Sequence, residues 1–213
     1  MIFDLHVHSC YSRRCGYMQP AEIVKTAIKR GLAGVAVTDH NTIVGGLRTK
    51  EFETEDFQVV VGSEVMTDRG EVIGLFLSEE IAPGTFEDVV TAIQEQGGFV
   101  LLPHPFDRLR STALHPQPDD SRYIDGIEGF NARCIFQADN RTAAEFGREH
   151  SLAVIAGSDA HFPGEIGGAG IRLDGDLEEC LRSRDFQTFG RRTSLLTHCR
   201  SKGLILCRRR NSR

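Results

Sequence analysis

No stretch of the sequence approaches the roughly 18 consecutive apolar residues that a membrane-crossing helix needs, so no transmembrane segment is expected. The first residues, Met1-Ile2-Phe3-Asp4-Leu5-His6, turn polar at once and hold no apolar signal core. Cysteine pairing motifs are missing too. The six cysteines (10, 15, 134, 180, 199 and 207) form no Cys-x-x-Cys unit and no dense framework. This argues against a disulfide-stapled scaffold and reads as free thiols in a reducing cytoplasm. Internal repeats and low-complexity segments are also lacking. The end of the chain has no acid: residues 191–213 carry eight of the 25 Lys/Arg and none of the 30 Asp/Glu. The net charge of −5 thus divides into a body of about −13 and a basic tail of about +8. An acidic body repels long polyanions, so nucleic acid is a less favoured partner than a small phosphorylated substrate. The tail is expected to be solvated or packed on its own body.

What is present suits one sizeable domain: 213 residues, 40% of them hydrophobic, enough to bury a continuous core. The expected division is a domain over 1–190 and a basic tail over 191–213. Strands are expected at 2–8, 33–38, 57–65, 71–77, 98–103, 124–130 and 153–158, mostly β-branched or aliphatic runs bounded by Gly, Pro or Asp. A helix is expected from Pro20 to Arg30, with proline at its first position and Gly31 just past its end. Further amphipathic helices are expected at 85–96 and 137–150. Alternating strands and helices imply an α/β domain with a mostly parallel sheet. About seven strands in so small a domain suggest a closed or nearly closed barrel, with a doubly wound open sheet as the alternative.

Chemistry collects at the ends of these strands. Asp4, His6 and His8 alternate with Phe3, Leu5 and Val7, so period two predicts one polar and one apolar face. Two imidazoles at i and i+2 can grip one cation, with Asp4 orienting a ring from behind. The run Val35–Thr38 ends in Asp39-His40, and Val59–Ser63 ends in Glu64. Phe99–Pro103 ends in His104, and Val154–Ser158 ends in Asp159-Ala160-His161. Five apolar strands thus deliver His, Glu or Asp at their C-terminal ends, where parallel α/β folds gather ligands and catalytic groups. Any one of these would pass as an ordinary strand-end polar residue. Five together point to a metal centre. Cys134, behind Asn131-Ala132-Arg133, reads as a small buried residue before a soft ligand.

In these stretches the sequence resembles the PHP (polymerase and histidinol phosphatase) phosphoesterases. The matching segments are Asp4-Leu-His-Val-His-Ser9, Val37-Thr-Asp-His-Asn41, Gly62-Ser-Glu64, Gly70-Glu-Val-Ile-Gly74, Leu102-Pro-His-Pro105 and Gly157-Ser-Asp-Ala-His161. The resemblance spans residues 1 to about 172 and leaves the tail beyond about 185 uncovered. It implies a single distorted barrel of about seven strands holding two or three divalent ions. It implies that His6, His8, Glu64 and Asp159 hold one ion, and that Glu64 bridges to a second bound by His104. Glu71 stands where the family often has histidine, and a carboxylate still ligates. A third ion would take His40, His161 and an Asp or His shortly after the first motif. This chain has Arg13-Arg14-Cys15 there. A guanidinium cannot ligate a cation and would repel it, so Arg14 is expected to hold a substrate phosphate instead, with Cys15 as the alternative ligand.

The implied reaction is phosphoester cleavage by a metal-activated water, with Zn, Mn or Fe suited to mixed imidazole and carboxylate ligands. Asp39, His40 and His161 are the expected catalytic groups, His40 or His161 protonating the leaving oxygen if the third ion is missing. Arg14, Arg108 and Arg133 are the expected phosphate clamps. A local ion pair between Asp107 and Arg108 is the alternative to a contact with substrate. One rival is an amidohydrolase, many of which bridge two metals with a carbamylated lysine. The four lysines here (25, 29, 50 and 202) fall on predicted helices, loops or the tail, and Glu64 fills the bridging role. The other rival is a non-catalytic metal-binding module. With only residues 41–63 between His40 and Glu64, no specificity domain is inserted and an open, shallow site is expected.

Overall fold

The computed structural model describes residues 1–12 and 15–193. Nine strands form one sheet: β1 Ile2–Val7, β2 Gly34–His40, β3 Gln58–Thr67, β4 Gly70–Leu75, β5 Phe99–Leu102, β6 Gly126–Asn131, β7 Ala153–Gly157, β8 Ala169–Arg172 and β9 Gln187–Gly190. Their spatial order is β7-β6-β5-β4-β3-β2-β1-β8-β9. The seven expected strands are all there. The two additional ones are four residues each; β9 is mostly exposed and glycine-ended, so neither makes a long apolar run.

The strands β1-β2-β3 and β5-β6-β7 pair in parallel, as alternating strands and helices predict. β4 breaks the pattern. A tight turn through Asp68 and Arg69 leaves no room for a crossover helix, so β4 runs antiparallel to both neighbours. A parallel bridge between Val7 and Ala160 then joins β1 to the segment after β7 and nearly closes the barrel. It is fastened by His8 N donating to Ala160 O at 2.8 Å and Ala160 N donating to His6 O at 3.2 Å.

Helices cover the outside: α1 Pro20–Lys29, α2 Val44–Lys50, α3 Phe86–Glu95, α4 Gln137–Glu149 and α5 Leu177–Ser183. α1 starts at its proline, and Gly31 just beyond it takes φ +75, a backbone that favours glycine. α3 is capped by Thr85, whose side chain accepts from Asp88 N. Phe3, Leu5, Ala36, Val60, Ile73, Leu75, Phe99 and Leu101 pack together inside the barrel. Ile23, Val24 and Ala27 of α1 pack on Val35, Val37 and Val59 on the other side of the sheet.

The register of β1 departs from simple alternation. A bulge lies between Asp4 and Val7, so Leu5 packs with Phe3 and Ala36 while Val7 packs with Val35 and Val37 on the opposite side. The extra residue turns His6 and His8 together toward the barrel interior and separates them from Asp4.

Candidate metal centre

The C-terminal ends of the strands converge on one buried cluster. β1 brings His6 and His8, β2 brings His40, and β3 brings Glu64, which lies beside His40 in the parallel register. β4 adds Glu71, the turn after β5 adds His104, and the segment after β7 adds Asp159 and His161. His6, His8, Glu64 and Asp159 have no exposed surface, and His104 has 1%. His104 at φ +32 and Asp159 at φ +54 hold left-handed backbone that non-glycine residues rarely adopt. Such strain gathers where a fold must aim particular side chains.

The ring orientations are set from behind. His6 Nδ1 donates to Glu128 Oε1 at 2.9 Å. His8 Nδ1 donates to Ser12 Oγ at 3.1 Å, and Ser12 Oγ donates to Asp39 Oδ1 at 2.7 Å. Both rings therefore aim Nε2 inward, and the two nitrogens stand 3.0 Å apart. Glu64 Oε2 lies 3.7 Å from His6 Nε2 and 3.4 Å from His8 Nε2. Asp159 Oδ1 lies 3.7 Å and 3.3 Å from the same two atoms. Ligands about 2.0–2.1 Å from a tetrahedral ion stand roughly 3.3–3.4 Å apart, so this spacing fits a single cation. Glu64 Oε2 and Asp159 Oδ1 are buried and make no hydrogen bond, as do Glu71 Oε2 and His104 Nδ1. Buried carboxylate oxygens without a donor are costly unless a cation balances them.

A second position adjoins the first. His104 Nε2 lies 2.8 Å from Glu64 Oε1 and 3.7 Å from Glu71 Oε2. His40 Nδ1 lies 3.0 Å from Glu64 Oε2 and 3.3 Å from Glu71 Oε1. Glu64 thus stands between the two groups. A third group gathers ligand atoms of His8, Cys15, His40 and His161 within 4.8 Å of one another.

In the metal-free protein, charge and burial leave Asp159, Glu64, His8 and His161 in the forms that ligate. Burial alone would raise Asp159 and Glu64, but Arg110 and His6 outweigh it at Asp159, and His40 and His6 outweigh it at Glu64. Both carboxyls are held well below the ordinary range. Burial holds His8 below the usual histidine range, and burial with the charges of His8 and Arg133 does the same for His161. Burial also opposes charge on His6, yet Glu128, Asp159 and Glu64 raise it well above that range. His6 then donates its second proton across to His8 Nε2, where a cation would otherwise draw both lone pairs.

Several residues take places that sequence alone does not assign. Asp39 receives Ser9 N at 2.7 Å, Ser9 Oγ at 2.5 Å and Ser12 Oγ, so it acts through His8 rather than at the centre. Asp4 orients no ring: it accepts Ser158 N and Gly167 N, and burial pushes its pKa up to about 6. Arg108 is turned outward onto Asp139, at 2.6 Å, and over the Phe136 ring. Arg133 pairs with Glu165, which also receives His161 N. Arg14 lies outside the described residues. Cys134 is buried, with its thiol pushed up to about 12 by burial and the nearby Asp107 and Asp139, so it rests as an uncharged thiol.

Two residues at the site carry no flag in the sequence reading. Glu128 of β6 takes the place expected of Asp4, and its other oxygen accepts His104 N at 2.8 Å and Asn131 Nδ2 at 2.9 Å. A glutamate in an otherwise buried strand is the signal that was there to read, since a buried charge demands partners. Gly157 of β7 admits no side chain, because a Cβ there would strike Glu128 Oε1 and His6 Cβ. Arg110, on the long connection between β5 and β6, donates to Asp159 Oδ2 at 2.6 Å and stands 23% exposed at the mouth. Nothing local distinguishes it from the arginines around it.

The cluster thus lies at the C-terminal edge of the parallel strands of a nearly closed α/β barrel. The PHP domain model matches residues 4–182, and the chain belongs to that family. An uncharacterized protein of Methanocaldococcus jannaschii is 44% identical over 140 residues, covering 61% of this chain and 81% of its own length. A second from the same organism is 36% identical over 180 residues, covering 81% and 70%. Among solved structures, a two-domain protein from Bacteroides vulgatus containing a predicted PHP-like metal-dependent phosphoesterase superposes with a TM-score of 0.71 at 20% identity. The match covers 90% of this chain and 65% of that one. Among the described residues, no helix is long and apolar enough to cross a membrane.

Proposed function

We propose that this protein is a metal-dependent phosphoesterase acting on small phosphomonoesters, cyclic phosphodiesters or nucleotide-type substrates, with two or three ions of Zn, Mn or Fe. The observation that carries the reading is the set of two imidazole nitrogens and two donorless carboxylate oxygens spaced 3.0–3.7 Å apart around one point. Imidazole with carboxylate suits these metals. His6, His8, Glu64 and Asp159 would hold one ion, and Glu64, Glu71 and His104 a second. When bound, the ions supply Lewis-acid polarisation of the phosphoryl group and activation of water.

The chain's own groups do the rest. Glu128 and the Ser12–Asp39 pair fix the ring tautomers. Arg110 places a permanent cation with a planar fork of donors beside Asp159, suited to gripping non-bridging oxygens, a role in which it replaces Arg108. Arg133 and the expected contact of Arg14 would add to this clamp. Phosphoester chemistry is favoured over lysine-bridged amide hydrolysis because Lys25, Lys29 and Lys50 all lie exposed on α1 and α2.

The test is hydrolysis of a phosphoester panel by protein stripped with chelator and reloaded with Mn or Zn. Turnover should return with the metal and be lost, along with metal, in Asp159→Asn and Glu64→Gln. A protein that binds two equivalents and cleaves none of the panel, or cleaves it equally well as Asp159→Asn, would sink the reading.

A further inference from the structure

Cys15 sits at the third group of ligands, where neither of the first two positions uses it. It lies in a tight turn in which Cys15 N and Gly16 N both donate to Ser12 O, at 3.0 and 2.8 Å. The turn is held against the segment that follows β1 so closely that a Cβ on Gly16 would strike Ser9 O, which leaves glycine as the residue that fits. Cys15 is thereby 8% exposed, and its side chain hydrogen-bonds with His40.

The donors around it are sorted by their other partners. His161 Nδ1 donates to Asp159 O at 2.8 Å, so its Nε2 carries a lone pair. His8 lies against both rings, with centroids 4.7 Å from His40 and 4.4 Å from His161. Its Nε2 belongs to the first position, however, and its Nδ1 is engaged by Ser12. That leaves Cys15 Sγ and one nitrogen each of His40 and His161 within mutual reach.

We propose that Cys15, His40 and His161 form a third metal position with a thiolate ligand, selective for Zn²⁺ or Co²⁺ over Mn²⁺. It rests on the reading of the cluster as a metal centre. A thiolate is a soft donor, unlike the carboxylates of the other two positions, and this sets the preference. On binding, the thiol proton leaves to solvent as the sulfur–metal bond forms. Two imidazoles and one thiolate would leave such an ion able to take a water or a substrate oxygen as a further ligand. His40 and His161 then serve as ligands, not as proton donors.

The experiment is cobalt reloading of the chelator-stripped full chain, read by absorbance and by elemental analysis. Wild type should take about three equivalents, the last accompanied by an intense near-ultraviolet thiolate-to-cobalt charge-transfer band. Cys15→Ser, which is nearly isosteric, should keep two equivalents and the visible d–d bands but lose the near-ultraviolet band and one equivalent. Cys15→Asp should regain the third equivalent without the band. With Mn²⁺, wild type should stop at two. The proposal is overturned if the band persists in Cys15→Ser, or if wild type loads two ions with visible bands and no charge transfer; the metal-centre reading survives either result. If no cobalt binds and the visible bands are missing as well, the metal-centre reading itself fails.

Discussion

Replacing Glu128 with glutamine changes one atom and tests whether the groups behind the ligands matter as the geometry implies. One carboxylate oxygen receives His6 Nδ1–H at 2.9 Å, and the other receives His104 N–H and Asn131 Nδ2–H. All of these are donors, and the residue is fully buried. An amide must place its NH₂ on one side or the other. If it faces His6, the imidazole is forced to the tautomer with its proton on Nε2, the atom that should ligate. If it faces His104 and Asn131, two buried donors lose their acceptor. Loss of an outer partner of this kind lowers metal affinity about 10- to 100-fold, equivalent to about 1.4–2.7 kcal/mol. The stranded donors should also cost the metal-free protein about 1–3 kcal/mol of stability. Competition titration against a chromophoric chelator reads the first quantity, and urea denaturation of stripped protein reads the second. A folded Glu128→Gln protein that binds its first ion within twofold of wild type would show that His6 needs no outer partner, and the argument would fall.

Other consequences follow from the same geometry. Arg110→Ala should raise KM or lower kcat/KM by about 10- to 100-fold, the scale of one charge-assisted contact. Without the Arg110 charge, Asp159 should also be protonated at less acidic pH, so metal should be lost earlier on acidification; a variant with wild-type kinetics and acid profile would remove Arg110 from the site. Metal binding should release protons, because His6 is held protonated in the stripped protein by Glu128, Asp159 and Glu64. Affinity should therefore rise with pH, while the stability that protonated His6 lends the stripped protein is full below the ordinary histidine pKa and lost as pH climbs through the raised one. Calorimetry in buffers of different ionisation enthalpy measures the release, and a buffer-independent heat would contradict it. Deleting residues 194–213 while keeping Thr193, whose N–H donates to Ala132 O, should leave kcat on small substrates within a few-fold. A hundredfold loss in a folded truncation would mean that the tail completes the site.

The sequence by itself determined the seven expected strands and the histidines and carboxylates at their ends, because both are local properties of the chain. A β-branched run such as Val59–Val61 forms a strand wherever it is buried, and a carboxylate such as Glu64 at its end is legible without knowing its neighbours. The same locality explains what stayed hidden. Period two placed Asp4 with His6 and His8, but a single inserted residue in β1 parted them, and the bulge exists only through pairing with β2. Antiparallel β4 followed from a turn too short for a crossover helix. Glu128 reaches His6 across 122 residues, and Arg110 reaches Asp159 across 49. Those partnerships depend on closure of the barrel through Val7 and Ala160. Cys15 joins His40 and His161 for the same reason, since its turn follows β1 while His40 ends β2 and His161 follows β7. Tertiary structure decided which charged side chains meet, because a long side chain's partner is set by where the backbone brings it and not by its own chemistry.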